Sequence, residues 1–175
     1  MAEKVVKRRS RVPKVSAVLE GFYRVNIKDP DGRVAGDSGW THNLIPDAGL
    51  TLYVVKLFGS TNGSTVEFMQ LGTGTTAYVT NTTAMNAPFA MSDAQAIAGS
   101  DISLLTSVYS AGHTVRFLAT FASGNSDRTG DICEIGLYAA TSGTMFCGGT
   151  YTGSALASNQ AVNCTYDVVF LASTS

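Results

Sequence analysis

Charge is what this chain most lacks: only 14% of its 175 residues are Asp, Glu, Lys or Arg. Soluble domains carry roughly a quarter, so a large share of this surface is expected to lie against neighbours. Histidine is nearly missing, with His42 and His113 far apart. Cysteine is limited to Cys133, Cys147 and Cys164, without a C-x-x-C pair. Zinc sites draw on closely spaced ligands, so neither a metal nor any other cofactor is expected. Each cysteine sits in an apolar, strand-like run, where a reduced thiol acts as a small hydrophobe. Long apolar runs are absent too. No stretch reaches the ~18 residues of a membrane-spanning helix, and Met1-Ala-Glu-Lys4 does not open a secretory signal. The single tryptophan, Trp40, precedes a helical segment and is expected in the core.

What is present is apolar and turn-rich. At 45% hydrophobic the chain has ample core material for one domain over residues 15–175. Val25 and Ile27 alternate with Arg24, Asn26 and Lys28, the period of a half-buried strand. Asp29-Pro-Asp-Gly32 supplies a turn, and residues 33–40 return as the second strand of a hairpin. Pro46 and Asp47 open a helix whose apolar stripe is Leu50, Tyr53, Val54, Leu57 and Phe58. Gly49 weakens it, so packing must hold it in place. Val66–Leu71 reads as a strand. Residues 77–112, rich in Ala, Thr, Asn and Ser, read as a long interaction loop with short pieces of structure. Four more strands follow at 114–122, 131–139, 144–151 and 161–171. The expected fold is therefore mainly β: an antiparallel β-sandwich with one short amphipathic helix and an extended basic N-terminal arm.

The net charge of −1 hides a separation. Residues 1–14 hold Lys4, Lys7, Arg8, Arg9, Arg11 and Lys14 against Glu3, a balance of +5. Six basic and twelve acidic residues remain, a balance of −6 for the body. Such an arm has three readings: a contact with a neighbouring subunit, a solvated tail, or a nucleic-acid contact through phosphates. It carries no aromatic residue to stack on bases, which excludes sequence reading by stacking.

Reactive constellations are scarce. Gly72-Thr-Gly-Thr-Thr76 offers the glycines of a phosphate loop but lacks its lysine and its following helix, leaving a tight turn. Asp37, Ser38 and His42 are close in sequence, yet a triad is assembled in space with an oriented base. The acid pairs Asp29/Asp31 and Asp127/Asp131 flank turns without the spacing of a calcium loop. No catalytic residue is assigned, and the chain reads as no enzyme. Glu134 stands out differently. It is the one acid inside Ile132-Cys-Glu-Ile-Gly-Leu-Tyr138, and burial there demands a partner. Arg116, in the strand 114–122, is the expected structural pair.

The order of segments carries a resemblance. Gly36-Asp-Ser-Gly-Trp-Thr-His-Asn-Leu-Ile45 leads into Asp47-Ala-Gly-Leu50, followed by Phe68-Met-Gln-Leu-Gly-Thr-Gly-Thr-Thr-Ala77. Val115-Arg-Phe117, Asp131-Ile-Cys-Glu-Ile-Gly-Leu-Tyr138 and Gly143-Thr-Met-Phe146 come after. Over about residues 36–170 this resembles small structural proteins of tailed bacteriophages. It is loosely similar to the N-terminal attachment domain of tail-collar fibre proteins. There a helix start, a G-x-G turn and an E-I-G-L-[FY] strand recur in this order. The resemblance implies a non-enzymatic virion protein of the neck, tail, baseplate or fibre attachment, or one decorating the capsid. It would be made in the host cytoplasm and partnered by other virion proteins and copies of itself, with no membrane. The alternative is a carbohydrate- or cell-surface-binding module of a phage adhesin. The arm and the first hairpin lie outside the family pattern, and no shaft or receptor-binding tip follows.

Overall fold

A computed structural model describes residues 15–57, 65–106, 112–123, 130–139 and 143–174. The arm residues Lys4, Lys7, Arg8, Arg9, Arg11 and Lys14 therefore lie outside the described residues. The chain is mainly β, with two antiparallel sheets and one short helix, as the alternation predicts. In order come β1 (Val15–Lys28), β2 (Val34–Asp37), β3 (Thr41–His42), α1 (Asp47–Leu57), β4 (Val66–Gly72) and β5 (Gln95–Ala96). Then follow β6 (Ile102–Thr106), β7 (Gly112–Phe121), β8 (Gly130–Ala139), β9 (Met145–Leu156) and β10 (Ala161–Thr174). The first sheet runs β2-β1-β10-β7-β6, with β3 beside β1, and the second runs β5-β4-β8-β9.

The centre of the first sheet is a ladder between β1 and β10, in register from Val15↔Thr174 to Lys28↔Ala161. Alternation decides which residues enter the core. Tyr23, Val25 and Ile27 of β1 and Val162, Cys164, Tyr166 and Val168 of β10 turn inward. They meet Met69 and Leu71 of β4, Ile135 and Leu137 of β8, and Cys147 of β9 in one buried cluster. Each large apolar side chain buried there contributes about 1.5–3 kcal/mol. The hairpin turn closes as expected: the Gly32 N–H donates to the Asp29 carbonyl at 2.8 Å, and Gly32 adopts φ +86°, a conformation that favours glycine.

Two sequence expectations shift. Leu50, assigned to the buried stripe of α1, is 45% exposed. The helix instead presents Gly49 to β9, where any Cβ would overlap the Phe146 carbonyl oxygen. One turn on, the Tyr53 ring packs at 5.2 Å from that of Phe170. Gly49 is thus a close-approach residue, and the contact outweighs its poor helix propensity. Within the stretch 77–112, two single-turn helices and β5 are joined by β6, a full strand paired along β7 from Ile102↔Phe117 to Thr106↔His113.

Candidate functional site

The most elaborate polar construction is centred on Glu134, which is fully buried in β8. Register irregularities at Ile132/Glu134 and Leu137/Tyr138 interrupt the β8–β9 ladder. Ile135 and Leu137 face the main core, while Tyr138 belongs to a second small cluster with Met85 and Met145. Residues 73–90 fold over this outer side of the sheet. Glu134 Oε1 accepts hydrogen bonds from the Tyr78 hydroxyl at 2.6 Å and the Asn86 N–H at 2.5 Å. Its Oε2 accepts one from the Ala87 N–H at 3.1 Å. The Met85 N–H donates to the Tyr138 hydroxyl at 2.9 Å, and Asn86 Nδ2 donates to the Thr76 carbonyl at 2.8 Å. Burial and the adjacent carboxylate push the Tyr78 phenol far up, keeping it a donor. Three donors compensate the buried carboxylate in place of a cation.

The glycine turn belongs to the same construction. A Cβ on Gly72 or Gly74 would lie 2.7 Å or 2.6 Å from Glu134 Oε2. Both glycines make room for a carboxylate of the chain itself. The Thr73 N–H donates to the Ala87 carbonyl at 2.9 Å and holds the turn against the far end of the loop.

Arg116 is not the partner of Glu134; the two stand on different sheets. Arg116 of β7 lies opposite Asp167 of β10 and binds it through two bonds, Nε to Oδ1 and Nη2 to Oδ2, each 2.7 Å. Asp167 is fully buried. The Trp40 ring centroid lies 5.7 Å from the guanidinium carbon of Arg116, a cation–π contact. Trp40, expected in the core, is 46% exposed. Sequence reasoning missed Asp167, although the signal was the same: one acid in the apolar run Tyr166-Asp-Val-Val-Phe170.

Comparison with protein-family models, curated proteins and solved structures returns no match. Function must be argued from this geometry and the motifs.

The remaining candidate groups have structural partners. Asp37 binds Arg24 through two bonds of 3.0 Å and 2.5 Å, which hold its carboxyl down at about 2. Ser38 Oγ accepts from the Val25 N–H at 3.0 Å, and His42 meets the Phe22 ring edge-on. These three groups form no relay. Asp31 binds Arg33, and Asp29 accepts from Gln160; Asp127 lies outside the described residues. No group of three or more ligating side chains occurs among the described residues. Cys133, Cys147 and Cys164 are free and buried, as read from sequence. Burial pushes the Cys147 thiol up to about 12, with Cys133 and Cys164 also raised, so none is a thiolate nucleophile at neutral pH. Cys147 shares its buried surroundings with Tyr166, whose hydroxyl accepts a hydrogen bond from Asn43 Nδ2.

A different kind of site is lined by residues of both sheets. Between β6 and the start of β4 an apolar cleft of about 280 Å³ is lined by Tyr53, Val66, Ile102, Val115, Phe117 and Phe170 among others. Beside it Leu104 is 69% exposed, the most exposed large hydrophobic residue among those described.

Proposed function

We propose that this chain is a non-enzymatic structural protein of a tailed-bacteriophage particle, acting through subunit–subunit assembly. It would serve in the neck, tail, baseplate or fibre attachment, or decorate the capsid. The observation that carries this reading is the convergence of the motifs behind the resemblance. The glycines of the G-x-G turn, Gly72 and Gly74, close on the carboxylate of Glu134, the first residue of E-I-G-L-Y. The loop they enclose reaches the helix start, where the Asp47 N–H donates to the Thr80 carbonyl at 2.9 Å. Three separated motifs serve one structural unit, which gives their shared order a physical reason.

The surface supports the same reading. Val34, Val79, Trp40, Leu104 and Leu118 are exposed apolar side chains on a body poor in charge, a composition suited to burial against partners. The glycan-binding alternative asks for an open aromatic platform. Trp40 is exposed, but the Arg116 guanidinium already lies over its ring. Light scattering on the purified full chain tests the proposal. A discrete oligomer is expected, and the protein should join particles when added to a lysate of infected cells. A monodisperse monomer that never enters particles would overturn it.

A further inference from the structure

We infer that the cleft beside β6 receives the basic arm of a neighbouring copy, through the segment Lys4-Val-Val-Lys-Arg-Arg9. This rests on the assembly reading above and names the contact. Four observations carry it.

The first is the edge itself. β6 ends the six-stranded sheet among the described residues and presents the outward row of N–H and C=O groups that any edge strand offers. Proteins protect such edges with charge, proline or bulges. Ile102-Ser-Leu-Leu-Thr106 has no charged residue and no proline, and its pairing with β7 runs without a register shift. An edge of this kind suits strand addition, where main-chain bonds supply affinity and a side-chain pocket supplies choice.

The second is the pocket beneath it. Ile102 and Leu104 lie opposite Phe117 and Val115, so both lean toward the side where the cleft opens. Among the described residues the second sheet falls short there, because β5 pairs only Gln95 and Ala96 with β4. An added segment would cover Leu104 and place an apolar side chain in the cleft.

The third is the rim. Two lining residues, Val66 and Ile102, are each next in sequence to an acid, Glu67 and Asp101. Glu67 lies in β4, and Asp101 ends the single turn that leads into β6. Glu67 is exposed and Asp101 half-buried. Both acids stand near the cleft in sequence on a body of net negative charge, which suits an apolar segment bracketed by cations. The fourth observation is that the chain carries such a segment: Val5 and Val6 stand between Lys4 and the run Lys7-Arg8-Arg9. In an extended strand successive side chains point to opposite faces, so one valine would enter the cleft while flanking cations meet the rim. The separation of +5 in the arm from −6 in the body then becomes a docking device between copies.

The test uses full-length chains. One carries Val6→Cys, the other Leu104→Cys, on different affinity tags. They are mixed and oxidised mildly with copper–phenanthroline, which couples two adjacent thiols by removing two electrons and two protons. The native cysteines are buried, and Leu104 is exposed enough to accept replacement. The expected result is a mixed-tag disulfide dimer at least about tenfold more abundant than either same-tag dimer, with Glu67→Lys reducing it by a similar factor. A chain carrying both cysteines that closes a disulfide within itself at high dilution, with no mixed dimer, would overturn the inference by placing the arm on its own body. No disulfide at all would also overturn it. Light scattering on the unmodified chain separates the two levels. An oligomer without the disulfide leaves assembly standing and removes this contact, whereas a monomer without it removes both.

Discussion

Glu134 shows how one side chain can organise a loop. Its carboxylate takes the Tyr78 hydroxyl and the N–H groups of Asn86 and Ala87 while fully buried. Glu134→Ala would leave three donors without an acceptor and is expected to cost about 3 kcal/mol or more. Gly74→Ala, which forces a Cβ to 2.6 Å from Oε2, is expected to cost about 1–3 kcal/mol through overpacking. The two losses should not add. With Glu134 already truncated, the Gly74 penalty should fall by at least half, because the nearest atom has gone. Urea unfolding of the single and double variants measures this. Strict additivity would mean that Gly74 does not exist to admit the carboxylate. The need for a partner at Glu134 was legible in the sequence, but its identity was not. A backbone N–H 47 or 48 positions earlier in the chain leaves no trace in residue type, whereas Arg116 is conspicuous. Asp167 drew Arg116 because it lies directly across the ladder, and that register emerges only on pairing.

At the scale of elements, the long strands were legible because alternation and turn residues agree over ten or more positions. β6 was not: five residues inside a stretch of Ser, Thr and Ala give too short a period to register. The helix was legible in extent and misread in orientation, since its contact with β9 is made by the absence of a side chain at Gly49. Gly49→Ala makes the point measurable. In an exposed helix this change stabilises by up to about 1 kcal/mol. Here the new methyl meets the Phe146 main chain, which cannot rotate away. A loss of about 2 kcal/mol or more is expected in thermal unfolding. A gain would show that α1 does not rest on β9.

For the whole molecule, charge separation matters more than net charge. In the docking proposed above, a body of −6 and an arm of +5 would attract across copies, and such attraction is screened by salt. Association of the full chain is expected to weaken between about 0.05 M and about 0.5 M salt, as the screening length falls from roughly 14 Å to roughly 4 Å. Sedimentation velocity at both salt levels checks this. An assembly indifferent to salt would assign the contact to apolar burial alone.

The ladder between β1 and β10 has a further consequence, in time. Its partners are 133 residues apart at Lys28↔Ala161 and 159 at Val15↔Thr174. On the ribosome β1 emerges long before the strand that will flank it at the sheet's centre. Until β10 arrives, β1 offers an open strand, and so does β7, which pairs with the other side of β10. The domain therefore cannot mature from its N-terminal side. It waits for one late strand to slot between two early ones, a non-local event of the kind that slows folding and exposes strands to other chains. Nascent copies crowded on one message would be at their stickiest in that interval.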